Sequence, residues 1–257
     1  MSISVAYPYT FFLLFIRILS FLMTAPLFSQ RSLPALVKIF LAGLLAFVIT
    51  PVTGPAAIPE RDVVFFALIV QEALLGLLLG FVTNIPIWAV GLMGRLIASA
   101  MGMSYATSVS PMFPDAAPPL GQFYMQLTLV FFVIIRADHA VLLALKRMAD
   151  LLPPGQFLSQ VLAVSNDVLV ERSIYLTSQL WAISVQLALP VIGAIFLADL
   201  ALVLIGRAMP RMNVFAQSLV LKVLMGLLVM TLAFPLLWPQ IVSQVDKTGH
   251  QMLALFR

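Results

Sequence analysis

The chain has 257 residues, 62% of them hydrophobic and only 9% charged, with a mean hydropathy of +1.10. Soluble domains carry about 25% charged residues, so water cannot cover most of this surface, and lipid or apolar protein must. There is no cysteine, which removes disulfides, thiolate metal sites and cysteine nucleophiles, and the net charge of +4 comes from basic residues placed singly, as flanks of membrane segments rather than as a nucleic-acid patch.

A helix crossing the hydrocarbon core needs about 20 apolar residues, and six blocks qualify. The first runs from about Ile3 to Ala25. No basic residue precedes it and Arg17 interrupts it, unlike a secretory leader, so it is expected to be retained. The second runs from about Leu33 to Val52. The third, about Val63 to Val90, reads as broken by Asn84 and Pro86, and an amphiphilic continuation leads from Gly91 towards a proline-rich loop, SVSPMFPDAAPPLG, at Ser108 to Gly121. The fourth is about Phe123 to Leu145. A polar connection, Lys146 to Ser173, follows; Pro153, Pro154 and Gly155 stop any helix there, and Ser165 or Asn166 caps a short helix leading to Glu171. The fifth block, about Ile174 to Ile205, contains Pro190 and Asp199. The sixth, about Val214 to Val242, contains Lys222 and Pro235. No run alternates with period two, so the chain reads as all-α.

Basic residues in alternate connections do not orient these blocks. Arg61, Lys146, Arg147, Arg172, Lys247 and Arg257 fall on one side, and Arg31, Lys38, Arg95, Arg207, Arg211 and Lys222 on the other. Six against six gives no inside face, so the segments are expected not to be simple spans. Arg17, Glu72, Asp199 and Lys222 lie inside apolar blocks, where each costs about 2.5–3.5 kcal/mol at a helix centre. Three readings stand open for them: pairing at a protein interface, an ion or proton pathway, or snorkelling near block ends. Gly76 and Gly80 form a GxxxG pair suited to close helix approach, or a chance spacing in a Gly- and Leu-rich block.

No HExxH, GxSxG, phosphate-binding or dinucleotide-binding loop occurs. His139 beside Asp138 reads as a helix-end hydrogen bond rather than a catalytic pair. Neither an enzyme nor a bound metal or cofactor is expected. Met93, Met101, Met103, Met112 and Met125 bracket the proline loop; they read either as ordinary core filling or as an adaptable collar.

Several stretches together resemble the FliR family of flagellar type III export-gate proteins, called SctT in virulence secretion systems. RILSFLMTAPLFSQRSLPALVKIFLAGLLAF (17–47), GLLLGF (76–81), GMSYATSVSPMF (102–113), ADHAVLLAL (137–145), LPPG (152–155), LALPV (187–191) and DLALVLIGRAMPRMNVF (199–215) follow that family's order. Ala137 and Asp138 stand where it shows Asn-Gly, and AQSLV follows Phe215 where it shows Ile-Gly-Phe-Pro.

The resemblance implies bent helical hairpins in a membrane-associated pore assembly. Residues 1–165 would pack like a FliP-type subunit and residues 166–257 like a FliQ-type hairpin. FliP-like and FliQ-like chains, and a FlhB-like chain, would be its partners, with membrane lipid and unfolded protein substrates. The place would be the bacterial inner membrane, in the flagellar basal body, with much of the complex on the periplasmic side. The family's loop at this position is a channel plug, here Ser110, Pro111, Met112, Phe113, Pro114, Asp115, Pro118 and Pro119. Met101 and Met103 become gasket candidates, Arg17, Glu72, Asp199 and Lys222 inter-subunit partners, and Gly76 and Gly80 helix-packing positions.

Such a plug has a physical rationale. Proline lacks an N–H and fixes φ, and it pushes the preceding residue to extended backbone. The loop is therefore stiff and offers few donors to a passing chain, whereas an open pore would leak ions. A plain helix–helix connection is the alternative. For the whole chain the alternatives are a virulence-system export gate and, more remotely, a secondary transporter with helices broken at Pro86, Pro190 and Pro235.

Overall fold

The computed structural model describes residues 6–30, 33–55, 62–103, 119–156, 166–208 and 214–248. Among them the regular structure is helical: α1 (Ala6–Thr24), α2 (Ala35–Thr53), α3 (Asp62–Ala100), α4 (Pro119–Ile134), α5 (Ala137–Leu151), α6 (Asn166–Ala208) and α7 (Val214–Asp246). Five of these (α1, α2, α3, α6 and α7) are long and apolar enough to cross a membrane. The pair α4 and α5 passes that test together but is bent by 71°.

Three sequence expectations need correction. Asn84 and Pro86 do not break the third block, because α3 runs unbroken over 39 residues and takes in the amphiphilic continuation. Asn84 stays helical by donating to the Gly80 carbonyl at 2.8 Å and to the Thr24 carbonyl on α1. Proline inside apolar helices is tolerated where neighbours and hydroxyls occupy freed backbone groups. The fourth block is two helices, not one, joined through Arg136 in the left-handed region (φ 56). Finally, Asn166 opens no short helix; α6 continues for 43 residues through Pro190. The breaks at Pro86, Pro190 and Pro235 that a transporter would need are absent, since each proline sits within a continuous helix.

At 1.5 Å per residue, α3, α6 and α7 are about 58, 64 and 50 Å long for their 39, 43 and 33 residues. The hydrocarbon core is only about 30 Å thick. These helices outrun it.

Two compact units divide the chain, one drawing on 1–85, 133–177 and 246–257, the other on 86–132 and 178–245. They interleave along the sequence. They are thus a different division from residues 1–165 and 166–257, which concern likeness to sister subunits.

In the first unit, α1 and α2 pack as a hairpin. The turn after α1 is held by Ala25 N–H to Phe21 O at 2.7 Å and Ser29 N–H to Ala25 O at 2.7 Å. The buried stripe of α2 is Lys38, Ala42, Ala46, Ile49 and Thr50, at three- and four-residue spacings that keep one face, and the small Ala42 and Ala46 at its middle set the distance. The opposite face of α2 carries exposed Leu36, Phe40, Phe47 and Val48. Helix α5 is amphipathic, burying Val141, Ala144, Leu145 and Met148. It ends before Pro153, and Gly155 (φ +86) turns the chain in a conformation that favours glycine.

In the second unit the core gathers one face of α3 (Val90, Met93, Ile97), Met101, Tyr124 of α4, Leu187, Val191 and Ile195 of α6, and Met230, Leu237 and Ile241 of α7. Phe131 of α4 sits against Trp238 of α7, ring centroids 3.7 Å apart. Large apolar side chains stay exposed along α6 and α7, among them Phe196, Leu197, Leu204, Leu224 and Leu232. Such a surface calls for lipid or apolar protein against it.

Candidate functional site

The described part of the proline loop's surroundings is its two roots. On the entering side, Met101 N–H donates to Ile97 O at 2.9 Å and Gly102 N–H to Ser99 O at 3.0 Å. Gly102, at φ +79, ends α3 in the left-handed conformation that commonly closes helices. On the leaving side Pro119 is the first residue of α4, where its missing N–H costs nothing. Ser110, Pro111, Met112, Phe113, Pro114, Asp115 and Pro118 lie outside the described residues.

The roots meet. A methyl group on Gly94 would come within 2.7 Å of the Gly121 Cα, and one on Gly121 within 2.9 Å of both the Gly91 carbonyl and the Arg95 Cγ. Only glycine permits this approach of α3 to α4. Sequence reading missed it, although Gly91, Gly94 and Gly121 were visible as small residues flanking the loop.

The two gasket candidates differ in setting. Met101 is fully buried in the core of the second unit, its side chain filling the space over Gly226 of α7, where an added Cβ would lie 2.8 Å from the Met101 Cγ. Met103 is half-buried and packs at the edge of the same cluster. Its flexible thioether is the one nearer the loop.

The charged residues inside the apolar blocks come together in pairs. Arg17 of α1 and Glu72 of α3 form an ion pair with exposures of 1% and 0%. The Arg17 Nε donates to Glu72 Oε2 and its Nη2 to Oε1 at 3.1 Å, the planar two-pronged contact that suits guanidinium and carboxylate. Arg17 Nη1 also donates to the Leu152 carbonyl at 2.9 Å, and Gly155 N–H donates to Glu72 Oε1 at 2.8 Å. A buried charge is tolerable when paired and hydrogen-bonded on its remaining sites, and here the pair is closed inside one chain. Lys222 of α7 and Asp199 of α6 pair at 2.8 Å with exposures of 24% and 36%, so this second pair reaches the surface.

Gly76 and Gly80 face α1. A side chain at Gly76 would strike Ser20 and the Arg17 carbonyl, and one at Gly80 would strike Thr24. Their spacing lets α1 approach α3 closely enough for Arg17 to reach Glu72. His139 N–H donates to Arg136 O at 3.1 Å in the first turn of α5. Among the described residues no three His, Cys, Asp or Glu side chains converge.

Comparison with known proteins adds what geometry alone lacks. Residues 9–248 match the family described as bacterial export proteins, family 1. The chain belongs to that family. It is 29% identical over 248 residues to the flagellar biosynthetic protein FliR of Bacillus subtilis (strain 168), covering 95% of each chain. With the flagellar biosynthetic protein FliR of Escherichia coli (strain K12) the identity is 30% over 229 residues, or 87% of this chain and 84% of the other. The secretion system apparatus protein SsaT of Salmonella typhimurium (strain LT2) is 29% identical over 244 residues, 91% and 90% of the two chains. The family and the apolar helices together make this a membrane protein of a bacterial export apparatus, working with that apparatus's other components.

Proposed function

We propose that the chain is the single-copy gate subunit of a flagellar type III export apparatus, passing unfolded protein across the bacterial inner membrane. The observation that carries this reading is the export-family match over residues 9–248 on helices that outrun a bilayer. A subunit whose long helices expose apolar side chains needs sister subunits as well as lipid to cover them. FliP-like and FliQ-like chains, with a FlhB-like chain, are the proposed partners, and the excess helix length is proposed to project to the periplasmic side. Flagellar rather than virulence export is favoured because the first two relatives above are both flagellar proteins.

Within that reading, residues 110–119 are the plug and Met103 the gasket residue closest to it, with Met101 setting the position of α3's end. Asp199 and Lys222, being half-exposed, are proposed to meet a sister subunit, whereas Arg17 and Glu72 shape the subunit itself. The test is to delete the gene in the source bacterium and follow flagellin export and motility. Restoration by the full chain, together with its recovery in one complex with FliP-like and FliQ-like subunits, is expected. Export that continues in the deletion strain, or a chain recovered alone as a monomer, would overturn the reading.

A further inference from the structure

Helices α3 and α4 touch backbone to backbone beside the proline loop. A Cβ on Gly94 would lie 2.7 Å from the Gly121 Cα, 3.0 Å from the Gly121 nitrogen and 3.1 Å from the Leu120 carbonyl oxygen. One turn away, a Cβ on Gly91 would lie 3.2 Å from the Met125 sulfur. Stepping back along α3 from 94 to 91 steps forward along α4 from 121 to 125, so the two helices run antiparallel through this contact. Small residues permit such an approach, and they leave no side chains between the helices that could slide or repack.

The contact is tied down on its other sides. Met93, Ile97, Met101 and Tyr124 are buried in one core with α6 and α7. The Met101 side chain fills the space over Gly226 of α7, and Phe131 of α4 stands against Trp238 of α7. Both helix ends are also complete in themselves. The Met101 and Gly102 N–H groups bond back to the Ile97 and Ser99 carbonyls, and Pro119 opens α4 with no N–H to satisfy. Parting α3 from α4 would strip this core, whereas none of these contacts involves residues 104–118.

We propose that α3 and α4 are a fixed frame: they stay locked at Gly94 and Gly121 throughout export, and whatever clears the passage does so without prising them apart. This rests on the export-gate reading above and deepens it, because it takes the two roots of the loop out of the opening motion.

The chain has no cysteine, so one engineered disulfide can test the frame. The three atoms nearest to a Cβ on Gly91 all belong to Met125, whose Cβ is 3.7 Å away, within the about 3.5–4.5 Å that a disulfide bridges. G91C/M125C therefore bonds α3 to α4 in place, and M125C removes the atoms that the new side chain at 91 would meet. The full chain with both substitutions is produced with its partners in a strain lacking the wild-type gene. Flagellin export is compared between oxidised and reduced states, bond formation is read by thiol labelling, and the G91C and M125C single variants control for the oxidant. The bond is expected to form, and the oxidised chain to export as fast as the reduced one. Export that falls on oxidation and returns with reductant overturns the frame, as does a bond that fails to form in a chain that exports when reduced. The strain without any copy of the gene tells this apart from failure of the export reading, which would show there as continued export. A measurement on the wild-type complex covers a double variant that does not assemble: amide hydrogen exchange at residues 91–101 and 121–128 should be equally slow with the passage empty and with a stalled substrate in it. Faster exchange there on substrate entry overturns the frame.

Discussion

Arg17 and Glu72, 55 positions apart, hold each other in a fully buried two-pronged contact that also grips the turn at 152–155. Three distant stretches of one chain are thereby fixed around one pair of opposite charges. Removing either partner leaves the other charge buried and unpaired, which costs about 3–5 kcal/mol. R17M and E72L should each lower the thermal midpoint of the full chain in detergent, and the R17M/E72L double variant should recover part of the loss. Single variants as stable as wild type would show that the contact is not holding the unit.

Gly76 on α3 and Gly193 on α6 give a contrast within one protein. G76A places a methyl against the Arg17 carbonyl and Ser20, whereas G193A on α6 meets nothing within 4 Å. G76A should therefore destabilise, and G193A should stabilise by about 1 kcal/mol from helix propensity alone. Thermal shift of the two purified variants decides; equal effects would mean that α1 and α3 are not in close contact.

Arg136 occupies a left-handed backbone conformation at the bend between α4 and α5. A non-glycine residue there costs roughly 1–2 kcal/mol, so R136G should raise the thermal midpoint. G155A, at φ +86, should lower it. The opposite pair of shifts would contradict the bend.

Asp199 and Lys222 lie on different helices of the same unit at 2.8 Å. D199K or K222D alone should reduce recovery of the assembled complex in detergent, and the charge-swapped double variant should not restore it, because each charge also meets a neighbouring subunit. Full restoration by the swap would mean that the two charges serve only each other.

Deleting residues 112–118 should leave the complex assembled and raise ion conductance of membranes containing it. Unchanged conductance with continued secretion would remove the plug role.

The helices were legible because apolar runs of spanning length leave little else for a chain in lipid. The all-α class and the family resemblance could both be read from the residues. The errors had local causes. Asn84 and Pro86 carry breaker chemistry, but a neighbouring helix at Thr24 accepts the Asn84 amide. The bend at Arg136 carries no glycine or asparagine to announce it. The four charges inside the apolar blocks were visible, but which charge faces which depends on helix approach, fixed by Gly76 and Gly80 for one pair. The Gly94–Gly121 approach depends on two residues separated by a loop, a relationship that no periodicity encodes.

The hydrogen bond from Arg17 to Leu152 spans 135 positions, and the one from the Gly155 amide to Glu72 spans 83. The two charges therefore cannot be fully enclosed until synthesis has passed Gly155, so the closing of the first unit is tied to a stretch made long after its first helix.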